Sequence, residues 1–337
     1  MHEARQYIKK ENNAVQCSLC NHRCTIADGK HGICGVRQNE GGTLYATTYG
    51  LVSAEAVDPI EKKPLFHYLP GTLSYSLGGI GCNFRCQHCQ NWNISQADST
   101  TARLFPISPK EGVARALSSR SASISWTYNE PTIWHEYTLD MGTLARERGL
   151  GTCYITNGYI TEEALRELSP MLSAFRVDIK SFSDDFYRKI CKAHLQPVLD
   201  AAVIARELGM HIETVTLVIP GLNDSMDEME ALIRWVIGHL GPQTPMHFTA
   251  FHPDYKMTDR GMTPVALLEK ICARAKELGL RFPYCGNVGY STYENTYCPA
   301  CGALLIERQG FSSRIIGLDD RQCTSCGETI EIVRHVA

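Results

Sequence analysis

The stretch Leu73-Ser74-Tyr75-Ser76-Leu77-Gly78-Gly79-Ile80-Gly81-Cys82-Asn83-Phe84-Arg85-Cys86-Gln87-His88-Cys89 decides the reading of this 337-residue chain. A β-rich run ends at Leu77, and the loop after it carries three cysteines at CxxxCxxC spacing. Outward from there, from about residue 72 to 286, short β-rich runs alternate with longer segments of helical period, the pattern of βα units around a parallel sheet. Strands are expected at 73–77, 123–126, 151–155, 174–179, 211–218, 246–251 and 281–284. Helix starts are visible at Ser108-Pro109 before 110–117, Pro131 before 132–148, Thr161-Glu162-Glu163 before 164–168, and Thr263-Pro264 before 265–278. Proline in a first turn fixes φ, and a Ser or Thr ahead of the helix supplies a capping oxygen. Six such units predict an α/β fold, a partial (β/α)6 TIM-like barrel over 72–286. Residues 1–71 are read as a cysteine-rich N-terminal region and 287–337 as a small C-terminal module, both packed on the central fold.

Composition narrows the class. With 33 Lys and Arg against 36 Asp and Glu, the net charge of −3 gives nucleic acid no electrostatic footprint. The first ten residues are polar and charged, and no apolar run approaches the ~20 residues that cross a bilayer, so a cytoplasmic protein without membrane contact is expected. Fifteen cysteines is an odd number, and without an export signal it suggests thiolate ligands rather than disulfides. Eleven fall into three sets: Cys17, Cys20, Cys24 and Cys34; Cys82, Cys86 and Cys89; Cys298, Cys301, Cys323 and Cys326. Cys153, Cys191, Cys272 and Cys285 stand alone and read as small buried hydrophobes.

The central set offers three thiolates, one fewer than a closed four-coordinate zinc or iron–sulfur site requires. Three ligands on a cubane leave one iron open to the amino and carboxylate groups of a small molecule. The competing reading is a Cys3His zinc site completed by His88. In parallel sheets the chemistry sits beyond the carboxyl ends of the strands. Five polar clusters occupy that position: Tyr128-Asn129-Glu130, Thr156-Asn157-Gly158, Asp178 with Lys180, Pro220-Gly221-Leu222-Asn223, and His252-Pro253. Together they point to one shared site. Taken singly, each has a plainer reading: a surface ion pair for Asp178 and Lys180, a first-turn carboxylate favoured by the helix dipole for Glu130, and a structural role for His252.

CxxxCxxC in the loop after the first strand of a βα barrel resembles the radical S-adenosylmethionine superfamily. The resemblance implies that Cys82, Cys86 and Cys89 hold a catalytic [4Fe–4S] cluster, and that His88 stands where the superfamily usually has an aromatic residue beside the adenine. Trp126-Thr127-Tyr128-Asn129-Glu130-Pro131 lies at the place of the superfamily's Gly-Gly-Glu-Pro motif, which makes Glu130 the acceptor for the methionyl ammonium. Val177-Asp178-Ile179-Lys180 resembles the Asp-Leu-Lys of pyruvate formate-lyase activating enzymes, where these groups face the ribose and carboxylate, and Phe251-His252-Pro253 resembles their sixth-strand histidine. Asn129 and Asn157 complete the candidate cofactor-binding set. A carboxylate suits an ammonium, a lysine a carboxylate, and an aspartate a ribose diol.

A narrower likeness lies upstream. Val57-Asp58-Pro59-Ile60-Glu61-Lys62-Lys63-Pro64-Leu65-Phe66-His67, with Leu69-Pro70-Gly71 and Cys89-Gln90-Asn91-Trp92, resembles the radical enzyme of the AmmeMemoRadiSam system. So do Cys17-Ser18-Leu19-Cys20 with Cys24, and Gly32-Ile33-Cys34-Gly35-Val36-Arg37. The likeness implies reductive cleavage of S-adenosylmethionine to methionine and a 5′-deoxyadenosyl radical, an electron donor such as flavodoxin or ferredoxin, and a protein or small-molecule substrate shared with the other proteins of that system.

Cys298-Pro299-Ala300-Cys301-Gly302 and Cys323-Thr324-Ser325-Cys326-Gly327 are two knuckles with four ligands in all, read as a zinc ribbon with rubredoxin-like iron as the rival. Four Arg, no Lys and six acids in 291–337 speak against a nucleic-acid role for it. Cys17, Cys20, Cys24 and Cys34 also make a set of four, for which zinc and an auxiliary cluster both fit the count, with a slight preference for zinc. Three functions remain open: a radical enzyme of the AmmeMemoRadiSam type, a glycyl-radical-enzyme activase, and a zinc-stabilised interaction protein without catalysis.

Overall fold

Seven strands run parallel in the order of the sequence: β2 (Leu73–Gly78), β3 (Ser123–Trp126), β4 (Gly151–Thr156), β5 (Ala174–Asp178), β6 (His211–Val218), β7 (Met246–Ala250) and β8 (Pro283–Gly286). The computed structural model describes residues 1–97, 102–289 and 291–336. An eighth strand, β1 (Ala54–Pro59), joins antiparallel to β2 with Val57 opposite Tyr75. That strand was not foreseen, and it means the central sheet begins inside the segment read as N-terminal region. The strand order leaves β1 and β8 as the two edges, so the sheet is an open wall of βα units.

Strands β3, β4 and β7 are buried along their whole length, as parallel strands covered on both faces must be. The covering helices are α1 (Pro109–Ser118), α2 (His135–Arg146), α3 (Glu162–Leu168), α4 (Gln196–Glu207), α5 (Met226–His239) and α6 (Val265–Glu277). Ser108 caps α1 by accepting from the Glu111 amide, and Thr161 caps α3 by accepting from Ala164. The segment after Pro131 starts as a 3-10 turn, Pro131–Trp134, before α2 continues it. Thr263 does not cap α6. Its hydroxyl donates to the Val218 carbonyl and accepts from the Phe251 amide, pinning the ends of β6 and β7 together.

The N-terminal cysteine-rich region is built from short antiparallel pairs, such as Tyr7–Lys9 with Val15–Cys17, and packs onto α2 and α3. Arg37 and Glu136 form a fully buried ion pair at 2.6 Å across that contact. At the other end, the strands Thr296–Tyr297, Leu304–Gln309 and Ser312–Ile315 form a small sheet. Its apolar residues share a core with Phe66, Phe282 and Tyr284. Among the described residues, no helix is long and apolar enough to cross a membrane.

Candidate active site

The loop after β2 is held from several sides. Asn129 accepts from the Gly79 amide (3.1 Å) and donates to the Gly81 carbonyl (3.0 Å); the Arg85 amide donates to the Cys191 carbonyl at 2.9 Å. Asn129 is thus chiefly a brace for the cysteine loop. Gly81 sits at φ +79°, and a Cβ there would lie 2.6 Å from the Cys34 carbonyl oxygen, so only glycine lets the N-terminal region approach this closely.

Cys82, Cys86 and Cys89 open on one cavity of about 470 Å³ at the carboxyl ends of the parallel strands. Donors reach their sulfurs: the Phe84 amide to Cys82 at 3.3 Å, the Asn157 side-chain amide to Cys82 at 3.8 Å, and the Ser95 hydroxyl within 3.2 Å of Cys89. Cys191, read from sequence as a plain buried residue, is a hydrogen-bond neighbour of Cys86; that contact, with burial, pushes the Cys86 thiol well up. It lies on a π-turn, Tyr187–Cys191, an irregularity frequent at functional sites.

The sulfurs of this triad, with or without His88, are not gathered around one point. Among the described residues, Cys298, Cys301, Cys323 and Cys326 are the one group of histidine, cysteine or carboxylate ligands whose donor atoms all lie within 4.8 Å of one another. The Cys3His zinc site is therefore not assembled, whereas a cubane, which puts each thiolate on a different iron, fits the wider spacing. His88 is 4% exposed, with Nδ1 unpartnered. Burial, then the charge of Lys180, lowers its pKa to about 3, so its ring is neutral and suited to an aromatic base.

Glu130 is 1% exposed and accepts from the Thr132 amide (2.9 Å), the Thr156 hydroxyl (2.7 Å) and the Asn157 amide (2.8 Å). Burial raises its pKa against those three bonds, and one lone-pair direction remains for a ligand cation. Two residues earlier, Tyr128 adopts φ +73°, a left-handed conformation that is strained for a residue with a bulky side chain. Its hydroxyl donates to Asp58 at 2.7 Å, and Lys63 lies over its ring.

Arg176, Asp178 and Lys180 project to one side at two-residue spacing and line the cavity in that order. Asp178 accepts from Arg176 and, at 3.1 Å, from Lys180. Arg176 was missed in the sequence, although the alternation that pairs Asp178 with Lys180 extends to it. Tyr128, part of the first polar cluster, also lines the wall, as do Lys63 and His247, which were missed as site residues because nothing in a single sequence separates them from ordinary core polar groups. Lys63 is lowered to about 8 by burial, against its 2.6 Å bond to Asp58. Burial works to raise Asp58, but hydrogen bonds from Lys63, Lys62 and Tyr128 hold it below the usual carboxylate range.

Two of the five polar clusters lie off the cavity. Asn223 donates to the Lys180 and Leu217 carbonyls and accepts from the Ile219 amide, bracing the backbone that carries Lys180. His252 is exposed, contacts Gln90 at 3.2 Å, and stands outside the cavity wall.

A parallel βα sheet with three cysteines opening on a polar cavity at its carboxyl edge defines an enzyme built around an iron–sulfur cluster. The profile of the radical SAM superfamily matches residues 77–236. An uncharacterized protein of Methanocaldococcus jannaschii is 47% identical over 335 residues, 99% of this chain and 100% of that one. The pyruvate formate-lyase-activating enzyme of Clostridium pasteurianum is 25% identical over 166 residues, 45% of this chain and 64% of that protein. A radical SAM methyltransferase of Sphaerobacter thermophilus aligns over 70% of this chain and 71% of its own at 17% identity, with a TM-score of 0.49. The chain carries the radical SAM domain over residues 77–236, is similar to the pyruvate formate-lyase-activating enzymes over about half of its length, and is an enzyme.

The superfamily implies a [4Fe–4S] cluster and S-adenosylmethionine. When bound, they supply reductive cleavage to methionine and a 5′-deoxyadenosyl radical. The C-terminal set is of another kind. Cys298 and Cys326 stand 3.6 Å apart, Cys301 and Cys323 3.7 Å, the spacing of thiolates about one tetrahedral ion. Gly302 and Gly327 follow the knuckles at φ +76° and +80°.

Proposed function

We propose that this enzyme is a radical SAM oxidoreductase of the AmmeMemoRadiSam type that abstracts hydrogen from a small polar substrate. The observation that carries it is the cavity: three cysteines at one side, and further along the wall charged groups that a cofactor need not use. In this reading Cys82, Cys86 and Cys89 hold the cluster. His88, Asn157, Glu130, Asp178 and Lys180 bind S-adenosylmethionine, Asn129 fixes the loop, and His252 guards the rim. Lys63, Tyr128, Arg176 and His247 face the substrate. Arg176 and Lys63 beside the carboxylates Asp58 and Asp178 suit a substrate with both an anionic and a hydrogen-bonding end. A low-potential protein of the flavodoxin or ferredoxin class donates the electron, and the C-terminal set holds zinc.

Likeness to pyruvate formate-lyase-activating enzymes supports a second reading, an activase whose substrate is a glycyl residue of a partner protein. Anaerobic, reconstituted enzyme with a strong reductant tests both. Formation of methionine and 5′-deoxyadenosine is expected without any partner. Deuterium from a labelled small molecule entering 5′-deoxyadenosine supports the first reading, and a glycyl-radical signal on a partner protein would replace it with the second.

A further inference from the structure

We propose that Cys17, Cys20, Cys24 and Cys34 hold a second [4Fe–4S] cluster that passes electrons to the cluster of Cys82, Cys86 and Cys89. Electron relay rests on the function proposed above; the metal assignment does not. All four sulfurs line one small enclosed space whose walls include Ile26 and Ile133. They share a cavity, yet they are not a group whose donor atoms all lie within 4.8 Å of one another, as the C-terminal four are. With Zn–S bonds of about 2.3 Å, tetrahedral thiolates stand about 3.7–3.8 Å apart. The C-terminal set meets that spacing and the N-terminal set does not. Thiolates that face one cavity at wider spacing suit a cubane, in which every sulfur binds a different iron.

A second observation points into the same space. Arg37 lines it and is 1% exposed; Nη2 is paired with Glu136, but Nε and Nη1 have no hydrogen-bond partner. Leaving two buried guanidinium donors unmade is costly. The sulfide and thiolate sulfurs of an anionic cluster are acceptors of the right charge for them.

The place of the site gives it its role. Four thiolates occupy all four irons, so no iron is left for substrate and electron transfer is the chemistry that remains. Cys24 is partly exposed, whereas Cys34 is buried against the catalytic loop, where its carbonyl packs on Gly81, next to Cys82. His22 bonds to the Asn83 carbonyl at 2.7 Å, and Arg85 donates to the Ile33 carbonyl. The site thus lies between solvent and the catalytic triad. One electron enters from a low-potential protein donor, reducing the auxiliary cluster. The same electron then leaves it for the catalytic cluster, so the relay returns to its oxidised state with no proton or group transferred.

The test is acid-labile sulfide and iron in anaerobically reconstituted protein, with Mössbauer spectra, for wild type, for the triple variant Cys82→Ala, Cys86→Ala, Cys89→Ala, and for Cys17→Ala with Cys20→Ala. Sulfide excludes any rubredoxin-like iron from the count. About eight sulfides in wild type and about four in each variant are expected. The triple variant leaves the N-terminal region untouched, so it reads the site even if the double variant fails to fold. Loss of all sulfide in the triple variant, with zinc recovered from the N-terminal set, overturns the proposal and leaves the catalytic reading standing. Four sulfides in wild type, all kept in the triple variant, would sink the catalytic reading instead. For the relay, the double variant is expected to cleave S-adenosylmethionine with dithionite but to lose at least tenfold with a flavodoxin-class donor. Equal rates with both donors would refute it.

Discussion

Glu130 shows how one side chain serves two ends. Three protein donors already point at its carboxylate, so Glu130→Gln exchanges an acceptor for an amide facing N–H groups. We predict that this variant loses about 1–3 kcal/mol of stability as well as cofactor affinity, because a buried donor is left facing donors. Asp178→Asn is the cleaner probe, since Asp178 lies at a strand end, only partly buried, with two cations to rearrange around it. It is expected to weaken S-adenosylmethionine binding about ten- to a hundredfold, the worth of one charge-assisted bond, with cluster content unchanged. Calorimetry on anaerobic protein measures both quantities, and wild-type affinity in Asp178→Asn would remove that residue from the cofactor site. Substituting any one of Cys82, Cys86 and Cys89 by Ala is predicted to abolish cleavage while the circular dichroism spectrum stays native, since no helix or strand is built from residues 79–91. Turnover in any of the three would refute the cluster assignment.

At the scale of elements, the contrast between the two terminal cysteine sets decides which parts fold with their metal. The C-terminal sheet is short, and its knuckles close on themselves, so Cys298→Ser with Cys301→Ser is predicted to unfold residues 287–337 without removing the catalytic cluster. Hydrogen exchange confined to that segment, with iron and sulfide retained, is the expected result; loss of the catalytic cluster from soluble protein would tie these cysteines to the active site. The parallel strands were legible because each is a buried β-rich run bounded by turn signals, which a period of two or a continuous apolar stretch reveals. Strand β1 was not, because Ala54-Glu55-Ala56-Val57-Asp58-Pro59 is a polar, proline-ended run whose pairing depends on β2 alone. The cysteine loop was legible from its spacing, and Glu130, Asp178 and Lys180 were picked out by their place directly after predicted strands and by the family resemblance; all of them line the cavity. Arg176, Cys191 and Lys63 were not, because their meaning lies in what the fold brings beside them.

For the molecule as a whole, the N-terminal region joins the central fold through a shared apolar core, where Val15, Leu19, Ile26 and Leu44 belong to one cluster with Ile160 and Leu165, and through carboxylates at its edge. Glu136 of α2 holds Arg37 and the Arg5 amide, and Glu167 of α3 accepts from His135 (2.8 Å), Gln6 (2.6 Å) and Arg5 (2.6 Å). Hydrogen bonding from His135, with help from Gln6 and Arg5 and against partial burial, lowers the Glu167 pKa to about 2. Burial would raise Glu136, but the charges of Arg37 and His135 outweigh it and hold it below its usual value. Both folded pKa values lie below the unfolded ones, so the unfolded chain binds more protons in acid. The share of Glu167 is therefore complete above about pH 4.5 and is lost as pH falls toward about 2, and that of Glu136 is lost in the same direction. Glu167→Gln removes its share at every pH. We predict that the difference in Tm between wild type and Glu167→Gln is largest near neutrality and shrinks as pH is lowered from about 6 to about 3, with amide exchange in the first fifty or so residues rising in parallel. A Tm difference that stays constant over that range would show that Glu167 acts through packing alone and that the carboxylate charge does not hold the N-terminal region in place.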